Sequence, residues 1–303
     1  MSKITVTEIA GQTSGSDQNL VKLPSNNTLQ VDNIVNRSGD NDSGIDLGTN
    51  DVIRFKTANA ERMRLDAGGS ILLGQTTPTD LHNTWNHLIM GNRGSIISQN
   101  GGGGIDGMTI SYNAYIDSDT GAYAYIATDE ASILSQQNGN LKYQNAVSGT
   151  AGNGITFNTK LEIDSAGRVS MPSQPAFYVK DLNFPSSNNA GVGTGGTVEV
   201  NIGSNYATGT GRFTAPIAGN YYFFMMTQAY GSGNTSGQYQ TARFYKNGSA
   251  QGADSYEGWS GGNNHAQANN TIIMNLAAGD YVQAYVIYGS RDIQNFFGGH
   301  LIG

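Results

Sequence analysis

Residues 210–223 read TGRFTAPIAGNYYF, and this stretch decides the fold. Tyr221 and Phe223 stand two positions apart, the spacing that puts side chains on one face of a strand. Pro216 and Gly219 sit ahead of them, where proline fixes φ and glycine admits conformations closed to other residues. The expectation is two paired strands joined by a turn, with Tyr221 and Phe223 pointing into a core.

Further strands follow on the C-terminal side: NYYFFMMTQAY (220–230), TIIMNL (271–276), YVQAYVIY (281–288) and FFGGHLI (296–302). Their turns recur at roughly 8–12 residues, the signature of a sandwich or jelly roll. On the N-terminal side, Pro172 and Pro175 break any continuing strand, which places a boundary near 172–175. Upstream lie short apolar runs such as Ile4/Val6, Val52/Ile53/Phe55 and Ile71/Leu72/Leu73, bounded by Gly, Asn and Asp. Residues 122–126, AYAYI, alternate as a half-buried strand does. AERMRLD at 60–66 is charge-dense but too short to stand alone as a helix. A weak repeat links FKTANAERMRLDAGGSILL, from Phe55, with FNTKLEIDSAGRVSM, from Phe157. In both, an Asp (Asp66, Asp164) followed by glycine suits a hairpin turn, and repetition of β units suggests a stacked shaft.

Composition agrees with an all-β reading. Charged residues make up 13% of the 303, about half the usual share, while Gly supplies 42 and Asn 32. A net charge of −7 argues against nucleic acid as a partner, since phosphate binding needs a basic face. Cysteine is absent, which excludes disulfides, thiolate nucleophiles and Cys-based metal sites. No run approaches 18 apolar residues, so no membrane-inserted helix is expected, and MSKITVTEIAGQTSG lacks the features of a signal peptide. A cell making this chain is expected to keep it in the cytoplasm.

Two resemblances rest on these residues. PAFYV (175–179), TGRFTAPIAGNYYF, ARFYKNGS (242–249), IIMNLAAGDYVQAYV (272–286) and FFGGHLI together resemble the C1q/tumour-necrosis-factor-like domain. That resemblance implies a ten-strand jelly roll assembling as a tight homotrimer, with Phe213, Phe223, Phe244 and Phe297 in its core. ERMRLDAGGSILLGQTTPT, the 123–157 segment and LEIDSAGRV (161–169) resemble the shaft of tailed-bacteriophage fibres. The combined expectation is an N-terminal virion-attachment segment (1–45), a trimeric β shaft (46–172) and a C1q-like head (173–303). It implies a virion tail fibre, docked on tail or adaptor proteins through the N-terminus. The head would touch a bacterial surface glycan or outer-membrane protein. A capsid-bound fibre or decoration protein is the alternative, and a polysaccharide depolymerase a third reading.

Chemistry is sparse. Gly191–Gly196 matches a dinucleotide fingerprint, but no helix is expected after it. Gly258–Gly262, with Asp280 and His300, mimics a hydrolase elbow in a context that is not strand-to-helix. Asp117/Asp119, Asp129/Glu130 and Asp254/Glu257 could serve glycoside hydrolysis but read equally as turn residues. Asp40, Asp42 and Asp46 form a poor calcium loop, and His82 and His87 lack a third ligand. No cofactor, metal or catalysis is therefore expected. Binding is expected in long Gly-rich loops at 230–240, 251–268 and 288–295, through Tyr230, Tyr239, Tyr256, Trp259, His265, Tyr288 and Arg291. Rigid aromatics among small polar residues are the composition of recognition loops; a structural role plugging a trimer axis or capping the sandwich edge stands beside it.

Overall fold

The computed structural model describes residues 33–35, 44–49, 51–74, 81, 85–91, 93–99, 107–185, 190–231, 239–258, 264–287 and 294–303. All of its regular structure is β, in two compact units: residues 1–158 with 163–168, and residues 159–162 with 169–303.

The first unit is built on one sheet. Its strands are β1 (Asn33–Val35), β2 (Gly44–Asp46), β3 (Ile53–Thr57), β4 (Ala60–Leu65), β5 (Ile71–Leu73), β6 (Trp85–Met90), β7 (Gly94–Gln99) and β8 (Gly107–Tyr112). A separate hairpin, β9 (Ala114–Ile116) and β10 (Tyr123–Tyr125), interrupts before β11 (Asp129–Gln137) and β12 (Asn140–Gly149); the sheet ends in β13 (Asn158–Ile163) and β14 (Val169–Ser170), of which residues 159–162 and 169–170 group with the second unit. Spatial order follows chain order throughout the twelve-stranded sheet, skipping only the hairpin. The charge-dense 60–66 segment is thus a strand: Met63 and Leu65 share one face, and Arg54 and Arg64 pair with Glu61 at 3.1 and 2.8 Å.

The repeat seen in the sequence is a repeated loop. Asp66 N donates to Ser70 O at 3.0 Å and Asp66 Oδ1 accepts from Ser70 N at 2.7 Å. Asp164 makes the same two bonds with Arg168, at 3.0 and 2.9 Å. Gly69 and Gly167 hold φ of 84° and 81° in the two loops, a region glycine enters without steric cost.

One face of this sheet is covered. Trp85, Ile97 and Ile116 pack with Tyr123 of the β9–β10 hairpin, and Ile116 N donates to His87 Nε2 at 3.4 Å. His87, expected as an ordinary polar residue, is buried under that hairpin. The opposite face carries an unbroken apolar row. Ile53 pairs with Leu65, Leu65 with Ile71, Ile71 with Leu88 and Leu88 with Ile96. Ile96 then pairs with Ile110, Ile110 with Leu134 and Leu134 with Tyr143, eight strands from the start. A parallel row two residues along joins Phe55, Met63, Leu73 and Met90, and resumes at Tyr112 beyond Gly94.

The second unit is a sandwich of β15 (Ala176–Lys180), β16 (Gly191–Val192), β17 (Thr197–Ile202), β18 (Tyr206–Ala207), β19 (Arg212–Thr214), β20 (Gly219–Gly231), β21 (Tyr239–Lys246), β22 (Ser249–Gly258), β23 (Asn264–Leu276), β24 (Tyr281–Val286) and β25 (Phe296–Leu301). One sheet runs β17-β15-β25-β20-β23 and the other β18-β19-β24-β21-β22, with the two-residue β16 on β24. The jelly roll is as expected, with eleven strands among the described residues because the two-residue β16 adds to β24. Tyr221, Phe223, Phe213, Phe244 and Phe297 are all fully buried, as expected, and Phe177 stacks on Phe213 at 4.7 Å. The 215–219 segment differs from expectation. Arg212–Thr214 pairs with β24 and β20 with β25, so the turn at Pro216 carries the chain from one sheet to the other and not between paired strands.

The consecutive glycines of FFGGHLI face opposite ways. A Cβ on Gly299 would lie 2.5 Å from the inward ring of Phe223, and one on Gly298 2.3 Å from the outward ring of Phe224. Phe224, Tyr178 and Phe296 form an outward aromatic cluster with centroids about 6 Å apart, continued by Tyr222 and His300 at 5.6 Å. Ile273, on the neighbouring strand, is 63% exposed.

Candidate binding surface

Strand register assigns the ends of the sandwich. The chain arrives at Ala176, paired with His300, beside the turns at 215–219, 247–248 and 277–280. At the opposite end β20 finishes where β23 begins, Gly231 facing Asn264, and β22 finishes where β21 begins, Gly258 facing Tyr239. β25 also starts at that end, with Phe296 between Lys180 and Met226.

Four of the seven expected site residues are described, and the topology brings all four toward that far end. Tyr230 and His265 are direct cross-strand partners on β20 and β23. Tyr239 opens β21, and Tyr256 faces Thr241 on β22 with 69% of its surface exposed. Trp259, Tyr288 and Arg291 lie outside the described residues. One expectation changes: most of 251–268 is paired strand, not loop, because β23 extends for 13 residues against β20. Backbone pairing overrides the weak strand preference of its Gly and Asn.

Beneath this end the core turns from aromatic to small and polar, which the sequence did not flag. Thr227 Oγ1 donates to Thr241 O at 2.8 Å, joining the two sheets, and Thr241 Oγ1 accepts from Ile287 N at 2.7 Å. Asn295 Oδ1 accepts from Gln228 N at 2.7 Å, and its Nδ2 donates to Leu182 O at 3.1 Å. Asn270 Nδ2 donates to the carbonyls of Ala242 and Ala253, both at 2.9 Å. These side chains tie the strands and loops of this end together.

The other end is locked by charge. Asp280 accepts from Asn247 Nδ2 at 2.7 Å, Lys246 Nζ at 2.9 Å and Ala277 N at 2.9 Å. The amide and ammonium donors hold its carboxyl down at about 2. Asp280 therefore sits in a turn and His300 on an outer strand face, and Ser260 lies outside the described residues. Gly191 and Val192 form a strand on β24, with Gly195 and Gly196 at positive φ, and no helix follows among the described residues.

Of the candidate carboxylates, Asp117, Asp129, Asp254 and Asp46 are engaged. Asp117 Oδ1 accepts from Thr120 N at 2.9 Å in its own turn. Asp129 pairs with Arg93, and Asp254 with Arg243, whose ionisation that bond raises. Asp46 is held by Lys56 and by Gly48 N, which lower its pKa. Asp40, Asp42 and His82 lie outside the described residues.

A family scan matches residues 176–302 to the C1q domain. Among solved structures, the globular domain of zebrafish complement 1qA protein is 17% identical, with 43% of this chain and 98% of that chain covered and a TM-score of 0.35. Murine APRIL at pH 8.0 is 9% identical, covering 43% of this chain and 99% of that one, with a TM-score of 0.34. A search of curated proteins gives no match.

Proposed function

We propose that the protein is a homotrimeric bacteriophage tail fibre whose C-terminal sandwich binds the host cell surface without catalysis. The observation that carries this reading is the convergence of Tyr230, Tyr239, Tyr256 and His265 at the end of the sandwich opposite the chain's arrival. Aromatic residues gathered at one end of a sandwich suit stacking on a sugar ring or packing on a protein loop.

Support for three copies comes from the C1q-domain match and from the outward cluster of Tyr178, Phe224 and Phe296, which a lone sandwich leaves to water. Three heads present three sets of contacts to one surface, so weak single contacts gain by effective concentration. The N-terminal region attaches the fibre to tail or adaptor proteins.

The test uses the full chain with Tyr256→Ala and Trp259→Ala. Contact residues of this kind often cost about 2 kcal/mol or more on truncation. Both substitutions are expected to weaken adsorption to host cells while leaving the melting temperature nearly unchanged. Adsorption preserved in folded variants removes the site from this end. Labelling of the capsid instead of the tail replaces the tail assignment with the decoration reading, and degradation of surface polysaccharide replaces binding with depolymerisation.

A further inference from the structure

The geometry points to the open face of the first unit's sheet as a second self-association surface, on which copies of this chain pack row against row. This rests on the trimeric reading above, and it adds an interface that the C1q-type sandwich does not contain.

The row from Ile53 to Tyr143 runs perpendicular to the strands, along the direction in which the sheet grows. Ile110, Leu134 and Tyr143 within it are 47%, 41% and 41% exposed in the single chain. Eight strands at about 4.8 Å spacing make it about 34 Å long, and the parallel row lies about 7 Å away. No charged residue falls in either row. Arg54, Lys56 and Arg64 alternate onto the other face, where Glu61 and Asp46 meet them. Arg93, over the Tyr112 ring at 5.8 Å, is paired with Asp129, so the charge beside the second row is balanced and is a poor match for a phosphate backbone or an anionic headgroup.

Size selects the occupant. The two rows cover about 500 Å², whereas a specific complex between free partners buries about 800 Å² on each side. A foreign protein arriving from solution would find too little. Copies of the same chain, already gathered by their heads, face each other at millimolar effective concentration, and a smaller interface then suffices. Each copy also presents the same apolar side chain at the same height, so a rotational arrangement matches row to row without a change of register.

The sequence has no cysteine, so one introduced thiol reports on one position. Leu134→Cys probes the row, and Ala122→Cys, exposed in the β9–β10 turn on the covered side, is the reference. Each full-length variant is treated with a short bismaleimide and its mass followed by sedimentation. Tethered copies are expected to link at Leu134→Cys at about tenfold the yield at Ala122→Cys, with three copies in both. Three copies with equal linking at the two positions overturns this surface, assigns the rows to another occupant and leaves the head reading standing. A single copy by sedimentation overturns both. Ile110→Cys, the neighbour in the row, gives the same measurement should Leu134→Cys fail to fold.

Discussion

Asn113 is fully buried at φ 60°, and one amide closes the loop around it. Its Nδ2 donates to Ala127 O at 2.9 Å and Glu130 O at 2.9 Å, and its Oδ1 accepts from Ala127 N at 2.8 Å. Asn tolerates this left-handed backbone better than most residues. Removing the amide strands several buried backbone groups, each costing about 1–3 kcal/mol. Asn113→Ala is therefore expected to destabilise the first unit by about 3 kcal/mol, read as a lower urea midpoint with unchanged slope. Nothing in SYNAY announces this role. The partners lie 14 to 17 residues away, and only the completed sheet brings them to one amide.

At the scale of elements, turn chemistry was legible and strand length was not. LAAGD and KNGS each look like turns, and each is one, with Gly279 at φ 88° and Asn247 and Gly248 at 51° and 80°. Their meeting was not legible: Asn247 N donates to Tyr281 O at 3.0 Å, and Asn247 Oδ1 accepts from Tyr281 N at 3.0 Å. Asp280 joins the pair, and its lowered pKa links the end of the sandwich to pH. The depressed value means that the charged carboxylate stabilises the fold above its ordinary pKa of 3.8, and that this contribution fades as pH falls toward about 2. Asp280→Asn should lower the melting temperature at neutral pH and flatten its fall between those two values. An unchanged acid slope would assign that fall to other carboxylates. The Gly- and Asn-rich 251–268 stretch, expected as loop, misled for the opposite reason. Its strands exist through pairing with β20 and β21, which composition does not report.

For the whole molecule, period-two patterning and low charge were enough to expect an all-β chain. The order of strands in the sandwich came only through resemblance, because alternation says which face is buried and not which neighbour is paired. In the trimeric reading, the outward aromatic cluster is the feature that ties one chain to others. Phe224→Glu places a charge on that face while leaving Phe223 and the inner core untouched. The full chain is expected to lose its three-copy mass in sedimentation and keep its β-type circular dichroism. A trimer that survives this substitution does not use the face of β15, β20 and β25.

The two units also differ in when they can form. In the first, each strand other than the β9–β10 pair lies beside its neighbour in the chain, so pairing needs only short loops to close and can advance during synthesis. In the second, Ala176 pairs with His300, and β25 sits between β15 and β20. The sheet carrying the outward aromatic cluster stays split until Phe296–Leu301 has been made. In the trimeric reading, premature pairing of half-made chains through that cluster is thereby avoided, and a ribosome that stalls before residue 296 releases a chain whose first sheet is built and whose sandwich is open. In the trimeric reading, registration of copies then waits for Phe296–Leu301.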